Sequence, residues 1–255
     1  MGGHAAGEVA SRIGVEAVLE HFGGSSADGE AALRNAFAAA NTRIYTEGSG
    51  TMGTTAVAAV LQYNLLSVAN VGDSRAYLIR EGRPRQISRD HSLVSDQVAA
   101  GLMTPEQARN SMVRNIITRA LGHQATVEVD IFHVGLRAGD TVLLSSDGMH
   151  GLIEDAEIAE IAGMLTPDET AERLVALANE RGGIDNITVV VAQVDELDPH
   201  SPQLANDEAP GEEHVAEHER ITEPLERPLT RTGLLLSLVT LSILLAIGGW
   251  SLYMP

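Results

Sequence analysis

The chain contains no cysteine. Disulfides, zinc ribbons, iron–sulfur ligation and thiol nucleophiles are thereby excluded. Lysine is also absent, and all 17 basic residues are arginine. That removes lysine Schiff bases and the lysine-dependent phosphate loop. Positive charge is scarce altogether: against 35 acidic residues, the formal net charge is −18. A chain this acidic is a poor partner for the phosphates of a nucleic acid. No Gly-x-Gly-x-x-Gly joins a strand-like segment to a helix-like one, so nothing points to a dinucleotide fold.

What is present suits a packed domain. Apolar residues make up 44% and charged residues 20% of the 255 positions. That composition supports a core and excludes global disorder. The charge is uneven, however. Residues 195–232 hold eleven acids, three arginines and five prolines, with almost no apolar periodicity. Such a stretch cannot bury enough surface to offset its ordering entropy, and reads as an extended, self-repelling linker.

Residues 233–254 then carry no charge at all. Twenty-two residues at ~1.5 Å each suffice to cross a hydrocarbon core of ~30 Å. Trp250 and Tyr253 sit near the far end, and Arg220, Arg227 and Arg231 precede the run. The expectation is one C-terminal transmembrane helix with residues 1–232 in the cytoplasm. The alternative is a buried core helix, which rarely follows a charged linker at a chain end.

Residues 1–194 form the remaining unit. Val15, Val18, Leu19 and Phe22 follow helical spacing, as do Leu33, Ala36, Phe37, Ala40 and Ile44. Strand-like runs follow at 54–61, 65–71 and 74–80, and again at 127–134, 141–146 and 187–194. Thr104-Pro105-Glu106-Gln107 and Thr166-Pro167-Asp168-Glu169 each read as a capped helix start. Successive hairpin-like strands with helices in pairs predict an α+β fold with antiparallel layers.

Three acidic motifs stand out: Val71-Gly72-Asp73-Ser74-Arg75, Ser145-Ser146-Asp147-Gly148, and Ile184-Asp185-Asn186-Ile187-Thr188. Each sets a carboxylate beside glycine or at the end of an apolar strand, on a rigid support. Converging carboxylates repel one another and are tolerated where a hard divalent cation neutralises them. Oxygen ligands without cysteine point to magnesium or manganese rather than zinc. Taken singly, each Asp also reads as a turn former bonded to its own backbone, and Asp73–Arg75 as a surface ion pair. His4 is suited either to orienting a ligand or to a backbone hydrogen bond. His91 reads as a turn or capping residue, and His150 has no assigned role.

The ordered set resembles the metal-dependent protein phosphatases of the PPM (PP2C-type) family in its bacterial form. The resemblance runs through Met1-Gly2-Gly3-His4, Gly50-Thr51-Met52-Gly53-Thr54-Thr55, Asn70 to Arg75, Asp90-His91-Ser92-Leu93, Asn115 to Gly122, Ser146-Asp147-Gly148 and Asp185-Asn186-Ile187-Thr188. It covers residues 1–194 and implies two stacked antiparallel β-sheets flanked by paired helices. It implies hydrolysis of phosphoserine and phosphothreonine in proteins by a water activated on two Mn2+ or Mg2+ ions. Asp147 and Asp185 fall on metal-ligand positions and Asp73 on that of a third, weaker ion; His4 lies near the implied site. Gly151 stands where many relatives place a further metal-binding Asp.

The family's pattern begins two residues before Met1 with an Asp-Gly whose Asp bridges both metals. The expectation is therefore a domain incomplete at its front, with its first strands missing, a sheet edge exposed and activity reduced. A regulatory, phosphoprotein-binding module without turnover is the alternative. Membrane tethering implies phosphoprotein substrates at the inner membrane face, receptor-type serine/threonine kinases among them.

Overall fold

Apolar residues on both faces of the central strands dictate the layering. The computed structural model describes residues 4–22, 29–197 and 243–246. Two long helices, α1 (His4–Phe22) and α2 (Gly29–Gly48), precede two hairpins, one of β1 (Ala56–Gln62) and β2 (Leu65–Val71), the other of β3 (Arg75–Arg80) and β4 (Arg83–Gln86). Two short helices, α3 (Leu93–Ala99) and α4 (Pro105–Arg109), lead to β5 (Asp130–Gly135) and β6 (Thr141–Ser145). Then come α5 (Asp147–His150), α6 (Asp155–Met164), α7 (Pro167–Glu180), β7 (Val189–Gln193) and β8 (Ile243–Ala246).

The strands form two antiparallel sheets, ordered β5-β2-β1-β8 and β4-β3-β6-β7. Alternation along each strand sends successive side chains to opposite layers. From β1, Ala56, Ala58 and Val60 join Leu33, Phe37 and Ile44 of α2 and Ile13 and Val18 of α1. Val57 and Ala59 face the other way and meet Ala76, Leu78, Val142 and Leu144 of the second sheet. The outer face of that sheet, Tyr77, Ile79 and Leu143, packs on Ile158 of α6 and Leu174 of α7. The result is helix pair, sheet, sheet, helix pair, as expected. Leu33, Phe37 and Ile44 are fully buried, each worth about 1.5–3 kcal/mol of apolar burial.

Local signals place most elements. Thr104 and Thr166 each cap their helix through a two-way capping box, with proline in the first turn. No local signal marks β4, whose Arg83 and Arg85 are exposed on a sheet edge, where charge discourages further pairing. Nor is α6 among the expected elements. Strand β5 begins at Asp130 rather than 127; Val127 and Val129 pack on the helical layer ahead of it.

One expected element takes a different form in four of its residues. Within the expected membrane helix 233–254, the four described residues Ile243–Ala246 are extended and pair antiparallel with β1, Val57 opposite Ala246 and Val60 opposite Ile243. Beside β1 they satisfy backbone groups that an edge strand would otherwise leave unpaired. The rest of that segment, and the linker from 198 onward, lie outside the described residues. Among the described residues no helix is long and apolar enough to cross a membrane.

Far from the acidic motifs, Arg80 and Asp140 form a pair at 2.7 Å, with side chains 19% and 2% exposed. Asp140 also accepts from the Arg137 N–H and its carbonyl from Val194, tying the end of β7 into the sheet.

Candidate active site

Register brings the three acids to one end of three neighbouring strands. Arg75 of β3 lies opposite Ser145 of β6, and Ser145 opposite Val189 of β7. Asp73 stands two residues before Arg75, Asp147 two after Ser145, and Asp185 four before Val189. All three therefore emerge at the same rim of one sheet, although 112 residues separate the first from the last.

Asp147 and Asp185 are held side by side by the residues around them. The Ser146 N–H donates to the Thr188 carbonyl at 3.1 Å. The Ser146 hydroxyl accepts from the Thr188 N–H and donates to the Asn186 carbonyl, both at 3.0 Å. Gly148 completes the contact: a β-carbon there would lie 2.4 Å from the Asn186 oxygen. Only glycine lets the two turns close to this distance. The Asp185 carboxylate accepts from the Asn186 N–H at 2.8 Å and is otherwise exposed.

Asp73 is anchored through its neighbours. Gly72 adopts φ +109°, and a β-carbon would stand 2.3 Å from Thr55 Cγ2. The Thr55 and Ser74 hydroxyls are 3.0 Å apart, which is the part played by the glycine-threonine turn. Arg75 does not pair with Asp73. It forks onto Asp90, at 2.9 Å from Nε and 2.7 Å from Nη2, and its Nη1 donates to the buried Tyr77 hydroxyl at 3.0 Å. Gln86 donates to the same Asp90 carboxylate at 2.8 Å. The anticipated surface ion pair is thus replaced by a partly buried network.

The electrostatics follow from burial and like charge. Burial first, then the charges of Asp147 and Asp90, push the Asp73 carboxyl up to about 7. Burial and the Asp185 charge raise Asp147 as well. His150, which bonds the Ser145 hydroxyl through Nδ1 at 3.0 Å, is held well below the usual imidazole range by burial and by the Arg75 charge. Burial and mutual repulsion leave Asp73 and Asp147 short of compensating positive charge. Hard oxygen donors in that state fit a divalent cation such as Mn2+ or Mg2+. The number of donors is small: among the described residues, no three His, Cys, Asp or Glu side chains converge closely enough to hold a metal by themselves.

Of the remaining sequence candidates, His4 is the first residue of α1, and its side chain lies outside the described residues. His91 is not a cap. Ser92 caps α3, accepting from the Ser95 N–H, whereas His91 is buried beneath the Asp73 turn. Asp90, Asp130, Arg119 and the Ser146 hydroxyl went unassigned in the sequence. Asp90 and Arg119 lie in recognisable motifs and Asp130 in a strand-like run, but their partners are 11 to 39 residues away.

Residues 2–187 match the sequence profile of the family described as Protein phosphatase 2C. The serine/threonine phosphatase stp of Listeria monocytogenes is 39% identical over 206 residues, covering 76% of this chain and 82% of that protein. The serine/threonine protein phosphatase PstP of Mycobacterium tuberculosis is 42% identical over 207 residues, 78% of this chain and 40% of that one. The crystal structure of the Mycobacterium tuberculosis phosphatase PstP/Ppp superposes with a TM-score of 0.72 at 39% identity, over 77% of this chain and 86% of that chain. A second structure holds the PstP catalytic domain in complex with two manganese ions, with a TM-score of 0.70 at 39% identity, over 77% of this chain and 85% of that one. With the layered sheets, the acid-bearing rim and the order of its motifs, the chain belongs to the protein phosphatase 2C family.

Proposed function

We propose that the domain hydrolyses phosphoserine and phosphothreonine esters of proteins in a metal-dependent reaction. The observation that carries this reading is the gathering of Asp73, Asp147 and Asp185 at one sheet rim. Asp147 and Asp185 would hold the principal cations and Asp73 a weaker third. Two Mn2+ or Mg2+ ions, when bound, supply Lewis acidity that lowers the pKa of water and offsets phosphoryl charge.

The chain's own residues do the positioning. Ser146, Gly148, Asn186 and Thr188 fix the Asp147–Asp185 spacing, and the strands beneath them hold both rigid. The Arg75 guanidinium, locked on Asp90, lowers the cost of ionising both Asp73 and Asp147. No covalent phosphocysteine route exists, since cysteine is absent. Manganese-dependent release of phosphate from a phosphothreonine peptide tests the proposal. Undiminished release by Asp147→Asn or Asp185→Asn would refute the assignment.

A second reading, a phosphoprotein-binding module without turnover, is favoured by the small donor count among the described residues. Calorimetry separates the two: the module binds phosphopeptide but not manganese.

We further propose that residues 233–254 tether the domain on the cytoplasmic side of a membrane, an arrangement in which Ile243–Ala246 leave their place beside β1. The uncharged run and the arginines before it support this. Substrates would then be phosphoproteins near that surface, such as receptor-type serine/threonine kinases, favoured by raised local concentration. Fractionation of the full chain and of a chain ending at 232 tests the tether; equal recovery in the soluble fraction rejects it.

A further inference from the structure

Gly72 has no side chain with which to anchor itself, yet it sets the direction of Asp73. His91 takes hold of it on both sides. The His91 backbone N–H donates to the Gly72 carbonyl at 2.9 Å. The Gly72 N–H donates to His91 Nδ1 at 3.0 Å. One residue thereby satisfies both backbone groups of Gly72, and it does so from a site only 5% exposed.

The donor direction fixes the tautomer. A backbone N–H only donates, so Nδ1 is unprotonated and the ring hydrogen resides on Nε2. That Nε2–H faces Asp130 Oδ2 at 3.0 Å. The other Asp130 oxygen accepts from Arg119 Nη1 at 2.5 Å; the same Nη1 stands 3.1 Å from Nε2, two donors that Asp130 holds together, and Arg119 also reaches Glu128 at 3.2 Å. Asp130 is thus the shared acceptor that orients the ring, while Arg119 holds Asp130. From Asp73 the path runs through Gly72, His91 and Asp130 to Arg119, with every contact within hydrogen-bonding distance.

We propose that His91 is a positioning residue for the Asp73 carboxylate, acting through Nδ1 on the Gly72 peptide, with Asp130 and Arg119 fixing its ring. The inference rests on the reading of Asp73 as a cation ligand. His91 touches neither Asp73 nor the reacting atoms.

Two near-isosteres separate the two ring nitrogens. His91→Asn keeps an acceptor at the Nδ1 position and loses the reach to Asp130. His91→Gln keeps a donor near the Nε2 position and offers no acceptor to Gly72. The full chain is measured for its manganese dissociation constant by calorimetry and for hydrogen exchange at the Gly72 amide. His91→Gln is expected to weaken manganese binding about tenfold or more, as loss of a ligand's outer partner does, with His91→Asn within about threefold of the native value. Exchange at Gly72 should rise in His91→Gln and stay protected in His91→Asn.

Native manganese affinity in His91→Gln, or equal losses in both variants, would overturn the proposal. Asp73→Asn isolates the underlying reading. Should Asp73→Asn leave manganese affinity unchanged while Gly72 exchange follows the expected pattern, Asp73 is no ligand but the turn is still held by His91. Should Asp73→Asn weaken binding while both His91 variants bind natively, the positioning role alone fails. If either His91 variant does not fold, Asp130→Asn carries the test: its amide oxygen stays with Arg119 and its amide N–H faces Nε2, which moves the ring hydrogen to Nδ1 and denies Gly72 its acceptor, so both manganese affinity and Gly72 protection should fall. Unchanged values there overturn the proposal equally.

Discussion

A β-carbon on Gly148 would stand 2.4 Å from the carbonyl oxygen of Asn186. This close approach of two turns, from segments some 40 residues apart, sets the distance between Asp147 and Asp185. Gly148→Ala must therefore push the 185–188 turn outward. The strain of such overpacking is about 1–3 kcal/mol. Manganese-dependent turnover should fall far more than the denaturation midpoint does. Turnover within about twofold of native would contradict this account, since even a 1 Å misplacement can cost about a hundredfold.

Ser146 serves both turns with one hydroxyl. Ser146→Ala leaves the Thr188 N–H and the Asn186 carbonyl without their partner, a loss of about 1–3 kcal/mol. Urea denaturation should show that loss, and manganese affinity should weaken with it. A variant as stable as the native chain would mean that water replaces the hydroxyl at no cost.

Asp73 gives a pH dependence with a definite sign. Its folded carboxyl lies at about 7 against an ordinary value of 3.8, first through burial and then through the charges of Asp147 and Asp90. The folded state thus binds the proton more tightly than the unfolded one. Its stabilising contribution is complete below 3.8 and is lost as pH rises through about 7. In the metal-free protein, melting temperature should fall between pH 5 and pH 8, and Asp73→Asn should flatten that fall. Equal slopes for the two proteins would show that Asp73 is not the group responsible.

Asp130 titrates with the opposite sign. Burial raises its carboxyl, but the hydrogen bonds from His91 and Arg119 and their charges outweigh that and leave it below the usual carboxylate range. Its contribution is present above 3.8 and is lost as pH falls through the lowered folded value. Asp130→Asn should make the protein less stable at neutral pH and less sensitive to acid. Acid-unfolding curves that superpose on the native ones would contradict this.

Asp140 offers a contrast remote from the site. Asp140→Ala removes the buried carboxylate from the partly buried Arg80 guanidinium, which keeps the Gly135 carbonyl, at a cost of about 1.5–3 kcal/mol. The manganese dependence of the remaining folded protein should not change. A shifted manganese requirement would mean that the far end of the sheet communicates with the rim.

Several elements were legible because their signals are local. The Thr-Pro-x-Gln and Thr-Pro-x-Glu starts of α4 and α7 needed only neighbouring residues, and β2 runs over 65–71 as its apolar run predicts. Other elements depend on distant partners. Strand β4 is a strand because β3 lies beside it, and Ile243–Ala246 are extended because β1 accepts them. Apolar content alone made the latter look like part of a membrane helix.

The same division holds at the rim. The sequence by itself singled out the three acids that meet at this rim, because hard-cation binding demands carboxylates on rigid strand ends, and it determined the layered fold through alternation and motif order. Only the tertiary structure decided that Arg75 pairs with Asp90 rather than Asp73, that Ser146 joins the Asp147 and Asp185 turns, and that His91 grips Gly72. Each of these is a hydrogen bond between segments 15 to 42 residues apart. Their geometry follows from strand register and backbone approach, and these arise only when the whole core is packed.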